Sequence, residues 1–544
     1  MASSATLTIE KSICGSNCPA SKMSSPTWLS LGGEIGVVMK KLYEIYDTNA
    51  ISERGYTLTW PSSQTAICQR CVVNCCNLRH YSRDFIYSDT GHAVRSSPLI
   101  GCDVTTFESD REPLHMDTLT PNPVKQPDRP KLLQVMGPGL ITGASDDDPS
   151  GIATYSQVGA QFGYGLAWTL LFSYPLMAAI QEISARIGRV TGYGIAGNLR
   201  RHYPTWLSSS IVCLLLIANI INLGADLGAM GAALKLLIGG PALVYVCLFG
   251  LLSAALEIFT RYARYVSVLK WLCLSLFSYV ICAFVVDVPW GEVGRAVFWP
   301  SLSLKPDYIV AIVAVMGTTI SPYLFFWQAE QEVEDENERP AAHPLTHAPW
   351  EAPAEFSRIR IDTYLGMALS NVIAFFIVVT TATTLHAHGH TDIQTSAQAA
   401  EALRAVAGRF TFVVFAAGII GTGLLTLPVL AGSAGYAVGE MLSWRVGLAS
   451  RPLQAKAFYA VITAATAIGV GVNFTSIAPV KALYWSAVLN GVVAVPVMIV
   501  MMHLSMRKGI MSDFTLPPAL RVLGWIATLV MAATVVAMIV TWLA

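Results

Sequence analysis

The sequence predicts an all-α polytopic membrane protein, and three observations predict it. Of 544 residues, 53% are hydrophobic and 13% charged, with a mean hydropathy of +0.52. A soluble domain carries about 25% charged residues, so this composition belongs in a bilayer. From Leu132 onward the chain divides into about eleven apolar runs, each near the ~20 residues that a membrane-crossing helix requires. The first and sixth of these runs are broken near their middles by a proline among small polar residues.

The runs span roughly 132–160, 163–186, 208–236, 241–257, 262–286, 307–331, 358–386, 411–437, 455–472, 480–504 and 520–543. Basic residues set their direction, since cytoplasmic loops collect Lys and Arg. Lys125, Arg129 and Lys131 precede the first run; Arg189, Arg200 and Arg201, then Arg261 and Arg264, then Arg445, Arg451 and Lys456, then Arg507 and Lys508 fall on the same side by alternation. The opposite loops, around Gly239, Trp290, His390 and Thr475, carry fewer. The expected topology puts the amino terminus in the cytoplasm and the carboxyl terminus outside, in a bacterial inner membrane. The 330–357 loop falls inside yet is acidic (Glu330, Glu332, Glu334, Asp335, Glu336), and reads as a solvated run at the inner mouth.

Residues 1–115 read differently: rich in Ser and Cys, without sustained helical or strand period, an extension either disordered or added by a misplaced start ahead of Met116. No positively charged start with an apolar core marks a cleavable signal peptide. Cys68 and Cys71, with Cys75, Cys76 and His80, have partial zinc-ligand spacing but lack a second matched pair. Residues 116–131, with Pro121, Pro123, Pro127 and Pro130, form a short cytoplasmic lead-in, and 132–544 the membrane domain. Equal numbers of acidic and basic residues, 35 each, argue against a nucleic-acid partner.

The first break reads Ser145-Asp146-Asp147-Asp148-Pro149-Ser150-Gly151. Carboxylates at mid-membrane are costly and usually functional. Pro149 has no N–H and Gly151 adds backbone freedom, so carbonyls ahead of Pro149 lose their helical partners. Unpaired backbone is tolerated in a membrane where it lines a cavity or holds a ligand. Carboxylate and carbonyl oxygens are the donors that Mg²⁺, Ca²⁺ and Mn²⁺ prefer. A polar loop between two short helices is the alternative. Three successive side chains of a helix point apart and cannot share one ion, so Asp148, at the break itself, is the candidate ligand.

The second break, Gly317-Thr318-Thr319-Ile320-Ser321-Pro322-Tyr323, opens the sixth run. Broken helices at the start of successive five-helix sets suggest an inverted repeat, with a substrate held where the breaks meet. Ser145, Gly151, Thr318 and Ser321 would complete an oxygen shell around a cation on Asp148. Paired proline kinks are the alternative.

From Leu132 to the end, the chain resembles the Nramp (natural resistance-associated macrophage protein) divalent-metal transporters. The likeness rests on Gly137-Pro138-Gly139, on Asp148-Pro149, and on the run from Gln181 to Gly192 ending at Tyr203-Pro204. It implies the LeuT-type fold, two inverted five-helix repeats plus an eleventh helix, working by alternating access with a divalent ion as substrate and no cofactor. The family's Asp-Pro-Gly-Asn reads here Asp148-Pro149-Ser150-Gly151, and its Met-Pro-His reads Ser321-Pro322-Tyr323, so an Asn, a thioether and a histidine are absent. Asp226 matches a family carboxylate, while the acidic residue one turn on is Ala229. This pattern looks closest to the Nramp-related magnesium transporter branch, with an oxygen-only site for Mg²⁺ or Mn²⁺ and weak or absent proton coupling. Asn490 falls near a family Gln that reaches the metal.

Among other intramembrane polar residues, Asp147, Asp226 and Gln181 form a candidate secondary pathway, although Gln181 also suits a hydrogen bond between helices, as do Asn219, Asn222 and Asn371. His386, His388 and His390 read as ordinary loop histidines. A cation-coupled symporter of an organic solute would use the same fold, but the Asp146–Asp148 carboxylates would repel an anionic substrate. A membrane-bound metal hydrolase would need a ligand set with a general base, and no such spacing stands out. A metal sensor reading through the Cys-rich extension is a third class. The lipid bilayer and divalent cations are the expected partners, and no oligomer is required.

Overall fold

The computed structural model describes residues 4–8, 57–61, 138–259, 274–300, 302–339, 342–393, 395–404, 408–448, 450, 452–475 and 478–543. In the amino-terminal unit, β1 (Ser4–Thr8) pairs antiparallel with β2 (Thr57–Pro61), Ser4 opposite Pro61 and Thr8 opposite Thr57. The sequence reading found no strand period there. Five-residue runs of Thr, Leu and Trp have strand propensity but are too short to show alternation. The cysteine and histidine positions 68–80 and the lead-in to Lys131 lie outside the described residues.

In the second unit, α1 (Pro138–Asp146) and α2 (Pro149–Phe162) are the two halves of the first broken helix. A 3-10 turn, Gly163–Leu166, leads to α3 (Ala167–Thr191), which ends on Gly192 in the left-handed conformation (φ 69°). The short α4 (Ile195–His202) precedes the long α5 (Thr205–Ile238) and α6 (Ala242–Phe259). Beyond residues 260–273, α7 (Phe277–Val285) completes the first set, and α8 (Trp290–Phe298) leads across. The second broken helix is α9 (Pro306–Thr319) and α10 (Pro322–Glu338). It is followed by α11 (Ala352–Thr384), α12 (Ser396–Glu401), α13 (Thr411–Leu442), α14 (Lys456–Val472) and α15 (Pro479–Ser505). A turn of helix, α16 (Lys508–Met511), leads to α17 (Pro518–Leu543), the extra helix.

Among the described residues, eight helical stretches are long and apolar enough to cross a membrane, and α14 adds a shorter one. Packing shows the two repeats. The first broken helix, α1 and α2, packs on α11, the second helix of the other set; reciprocally, α9 and α10 pack on α3. The third helices of the two sets, α5 and α13, pack on each other. Exchanging the two sets leaves this pattern unchanged, as an internal two-fold requires. Where α9 crosses α15, Gly317 lets the backbones touch: a Cβ there would run into the Ala487 carbonyl and lie 2.6 Å from the Gly491 nitrogen. That crossing fixes the second break against α15.

One expectation is corrected here. The acidic stretch from Glu330 to Glu338 is not a solvated loop: it is the last two turns of α10, and Glu330, Glu332 and Glu336 are buried. Arginines from neighbouring helices balance it. Arg189, with a fully buried side chain, donates to Glu336 (3.0 Å), Glu351 (2.7 Å) and Glu355 (3.3 Å), while Arg358 pairs with Glu332 and Glu355. Buried charges survive when paired and hydrogen-bonded, and this network supplies both conditions.

Candidate functional site

Each proline removes one helical bond, because residue i of a helix donates its N–H to the carbonyl of i−4. Pro149 therefore frees the Ser145 carbonyl, and Pro322 frees that of Thr318. The Ser145 carbonyl accepts instead from Tyr323 OH (3.3 Å) and Thr426 Oγ1 (3.2 Å), from the second broken helix and from α13. The Thr318 carbonyl and that of Gly317 share the Ser321 hydroxyl, at 2.9 and 2.8 Å. Every freed acceptor thus holds an exchangeable hydroxyl rather than a backbone amide.

Asp148 is the N-cap of α2, with extended backbone (φ −70°, ψ 169°), and is 2% exposed. Its Oδ1 accepts from the Gly151 N–H at 2.5 Å, the usual capping bond. Its Oδ2 accepts from Asn222 Nδ2 at 3.1 Å and more weakly from Tyr323 OH at 3.4 Å. Asn222 in turn accepts from Ser486 of α15 (2.9 Å), which lies 3.3 Å from the Ser150 hydroxyl. A loop of hydrogen bonds therefore runs from Asp148 through α5 and α15 and back to α2.

The breaks face each other closely. A Cβ built on Gly151 would lie 3.1 Å from Thr318 Oγ1 and 3.3 Å from Asp148 Oδ1. Asn490 stands one residue from the α9–α15 backbone crossing, buried, and its Oδ1 has no hydrogen-bond partner. Asp148, Ser145, Gly151, Thr318 and Ser321 are therefore gathered at one gap, with Asn490 beside the crossing that borders it. Met230 of α5 packs its thioether against Gly423, near Pro149.

The other acidic residues have different partners. Asp146 and Asp147 turn toward α11 and share the Ser370 hydroxyl, at 2.6 and 3.1 Å. Asp226 is fully buried on α5 and faces Asp148 and the Ser150 backbone, with neither oxygen in a full hydrogen bond. Gln181 donates to the Leu324 carbonyl (3.0 Å) and Ser184 to that of Phe325, so both hold the first turn of α10 against α3. Asn219 and Asn371 join helices, to Leu430 and Leu170 respectively, as expected. Asn222 joins helices as well, to Ser486, and its amide also reaches Asp148. Tyr323 and Thr426 were not anticipated as partners of the gap. His386 bonds the Ala160 carbonyl (2.7 Å), an ordinary loop contact. Among the described residues, no three His, Cys, Asp or Glu side chains converge to hold a metal, so oxygens of other kinds must contribute to any cation site here.

The sequence profile of the family described as natural resistance-associated macrophage protein-like matches residues 139–541. The divalent metal cation transporter MntH of Yersinia enterocolitica is 26% identical over 306 residues, 55% of this chain and 70% of that protein. MntH of Pectobacterium carotovorum is 26% identical over 305 residues, with the same coverage of 55% and 70%. Among solved structures, the manganese transporter of Eremococcus coleocola, in complex with an aromatic bis-isothiourea compound, has a TM-score of 0.58 at 16% identity, covering 74% of this chain and 86% of that one. That likeness extends the LeuT-type architecture to this chain. With the family profile matching from α1 to α17, the chain belongs to the Nramp family of integral membrane transporters.

Proposed function

We propose that this transporter carries divalent cations of the Mg²⁺/Mn²⁺ class by alternating access, holding the ion between the two helix breaks. The observation that supports this is the buried Asp148 carboxylate facing Thr318 and Tyr323 across the gap, among freed carbonyls bonded only by hydroxyls. Asp148 Oδ1 is engaged by Gly151, so Oδ2, with its longer bonds, is the oxygen open to a cation. Ser145 and Thr318 would give carbonyls, Ser321 its hydroxyl lone pairs, and Asn490 its Oδ1. Gly151 leaves the room. Releasing a hydroxyl from a carbonyl costs about 0.5–1.5 kcal/mol, which a divalent ion readily offsets. Oxygen ligands without the family's thioether favour hard ions, and Mg²⁺ keeps part of its water shell.

Transport would be driven mainly by the metal gradient and the membrane potential. A divalent cation gains about 4.6 kcal/mol per 100 mV on moving to a negative interior. Asp226 supports a second reading, cotransport of a proton, because a buried carboxylate that faces Asp148 without a full hydrogen bond calls for a proton or a cation. Liposome acidification that follows metal uptake and disappears in Asp226→Asn would establish that reading. The amino terminus is taken as cytoplasmic from the distribution of basic residues.

Uptake of Mg²⁺, Mn²⁺ and Cd²⁺ into proteoliposomes tests the principal reading. Asp148→Ala should be nearly inactive with all three ions, and Ser321→Met should shift preference toward Cd²⁺. Full activity of Asp148→Ala would overturn the site; unchanged selectivity of Ser321→Met would remove the role given to sulfur.

A further inference from the structure

About 12 Å along α10 from Pro322, eight residues at 1.5 Å each, a second pair of carboxylates meets. Glu440, near the end of α13, caps α4: its two oxygens accept from the Gly194 N–H (2.9 Å) and the Gly197 N–H (2.7 Å). Glu330 of α10 faces it. A Cβ built on Gly194 would strike Glu330 Oε1 and lie 2.7 Å from Glu440 Oε2. Glu330 is 2% exposed, and its Oε1 has no hydrogen-bond partner. Both carboxylates line a cavity of about 540 Å³ together with Gly192, Tyr193, Glu336 and Asn337.

The charges around this cavity leave the pair unbalanced. Glu336 belongs to Arg189, and Arg339, which also lines the cavity, is engaged by Asp335 and Glu355; His343, another lining residue, and Arg201, stacked on Tyr193, form no ion pair among the described residues. Among the described residues, neither Glu330 nor Glu440 forms an ion pair. Two carboxyl groups in contact cannot both stay ionised unless a cation lies between them; otherwise one holds a proton.

We propose that Glu330 and Glu440 form a second divalent-cation site, at the mouth of the pathway on the side of Arg189, Arg200 and Arg201. A proton shared between two carboxyl groups needs no surrounding space. This pair instead borders a cavity wide enough for a hydrated ion, and exposed Tyr193 and Asn337 open it to solvent. Two carboxylates suffice for an ion that retains several waters. The site would receive ions leaving the gap, or concentrate those entering it. It goes beyond the transport reading and rests on it only for the class of ion.

Mn²⁺ binding to the full chain in lipid nanodiscs, counted by loss of the free-ion electron paramagnetic resonance signal, tests this. Wild type should bind two ions, Asp148→Ala one, Glu330→Gln one, and the double variant none. The ion kept in each single variant shows that the variant is folded. A Glu330→Gln variant that binds as many ions as wild type overturns the proposal. So does a Glu330→Gln variant that binds none and is not rescued by Glu330→Asp, because the effect then lies in the fold. Asp148→Ala bears on the gap alone: two ions retained there would refute the transport site, and Glu330→Gln would still decide this one.

Discussion

Gly151→Ala separates the room a cation needs from the stability of the fold around it. The added methyl would sit 3.1 Å from Thr318 Oγ1 and 3.3 Å from both Asp148 Oδ1 and Tyr155 Cε2. All three neighbours are side chains, and a shift of a few tenths of an ångström accommodates the carbon. Overpacking of this kind costs about 1–3 kcal/mol. Replacing Gly by Ala in the first turn of α2 returns up to about 1 kcal/mol of helix propensity. The net destabilisation is therefore about 0–3 kcal/mol, and the variant should purify as a folded protein. The methyl, however, fills the space between Asp148 and Thr318, where a cation would bind oxygen at about 2.0–2.1 Å in the case of Mg²⁺. Uptake of Mn²⁺ into proteoliposomes should fall at least tenfold, a loss of about 1.4 kcal/mol in the binding or transport step. A thermal melt on the same preparation gives the stability change. Uptake within twofold of wild type, in a protein that melts normally, would refute the placement of the ion between the breaks.

Two further predictions concern the frame that holds the gap. Gly317→Ala places a methyl against the backbone of Ala487 and Gly491, which cannot rotate away, so it should lower the melting temperature well beyond Gly151→Ala. Equal melts would mean that α9 and α15 do not touch as described. Arg189→Ala leaves Glu336, Glu351 and Glu355 without their shared cation and should destabilise by about 3–5 kcal/mol, with Arg189→Lys recovering part, since an ammonium reaches fewer of the three. A melt of Arg189→Ala that matches wild type would show that the acidic end of α10 is balanced by something else.

The features legible in the sequence were those with local causes. Pro149 and Pro322 announce their breaks whatever surrounds them, and the carbonyl each frees is fixed by the helical i−4 rule, so Ser145 and Thr318 follow from spacing alone. Apolar runs of membrane length gave the helices for the same reason. What the sequence did not show were contacts made across the fold. Tyr323 meets Asp148 over 175 positions, Thr426 meets the Ser145 carbonyl over 281, and Asn222 reaches Asp148 over 74. No periodicity links such pairs. The acidic end of α10 was misread because composition counts charges without their partners: Arg189 and Arg358 reach it from α3 and α11. The contact of Asn222 with Asp148 was hidden for a related reason, since an intramembrane Asn that joins two helices and one that also orients a carboxylate look alike until the acceptor is known.

The central claim is that one divalent ion sits between the two helix breaks, and anomalous diffraction locates it most directly. Crystals grown with Mn²⁺ and measured at the manganese absorption edge should show a peak about 2.0–2.3 Å from an oxygen of Asp148 and within reach of the Thr318 carbonyl or the Ser321 hydroxyl. A peak bound to neither break, with Asp148 still bonded to Asn222 and Tyr323, would contradict it.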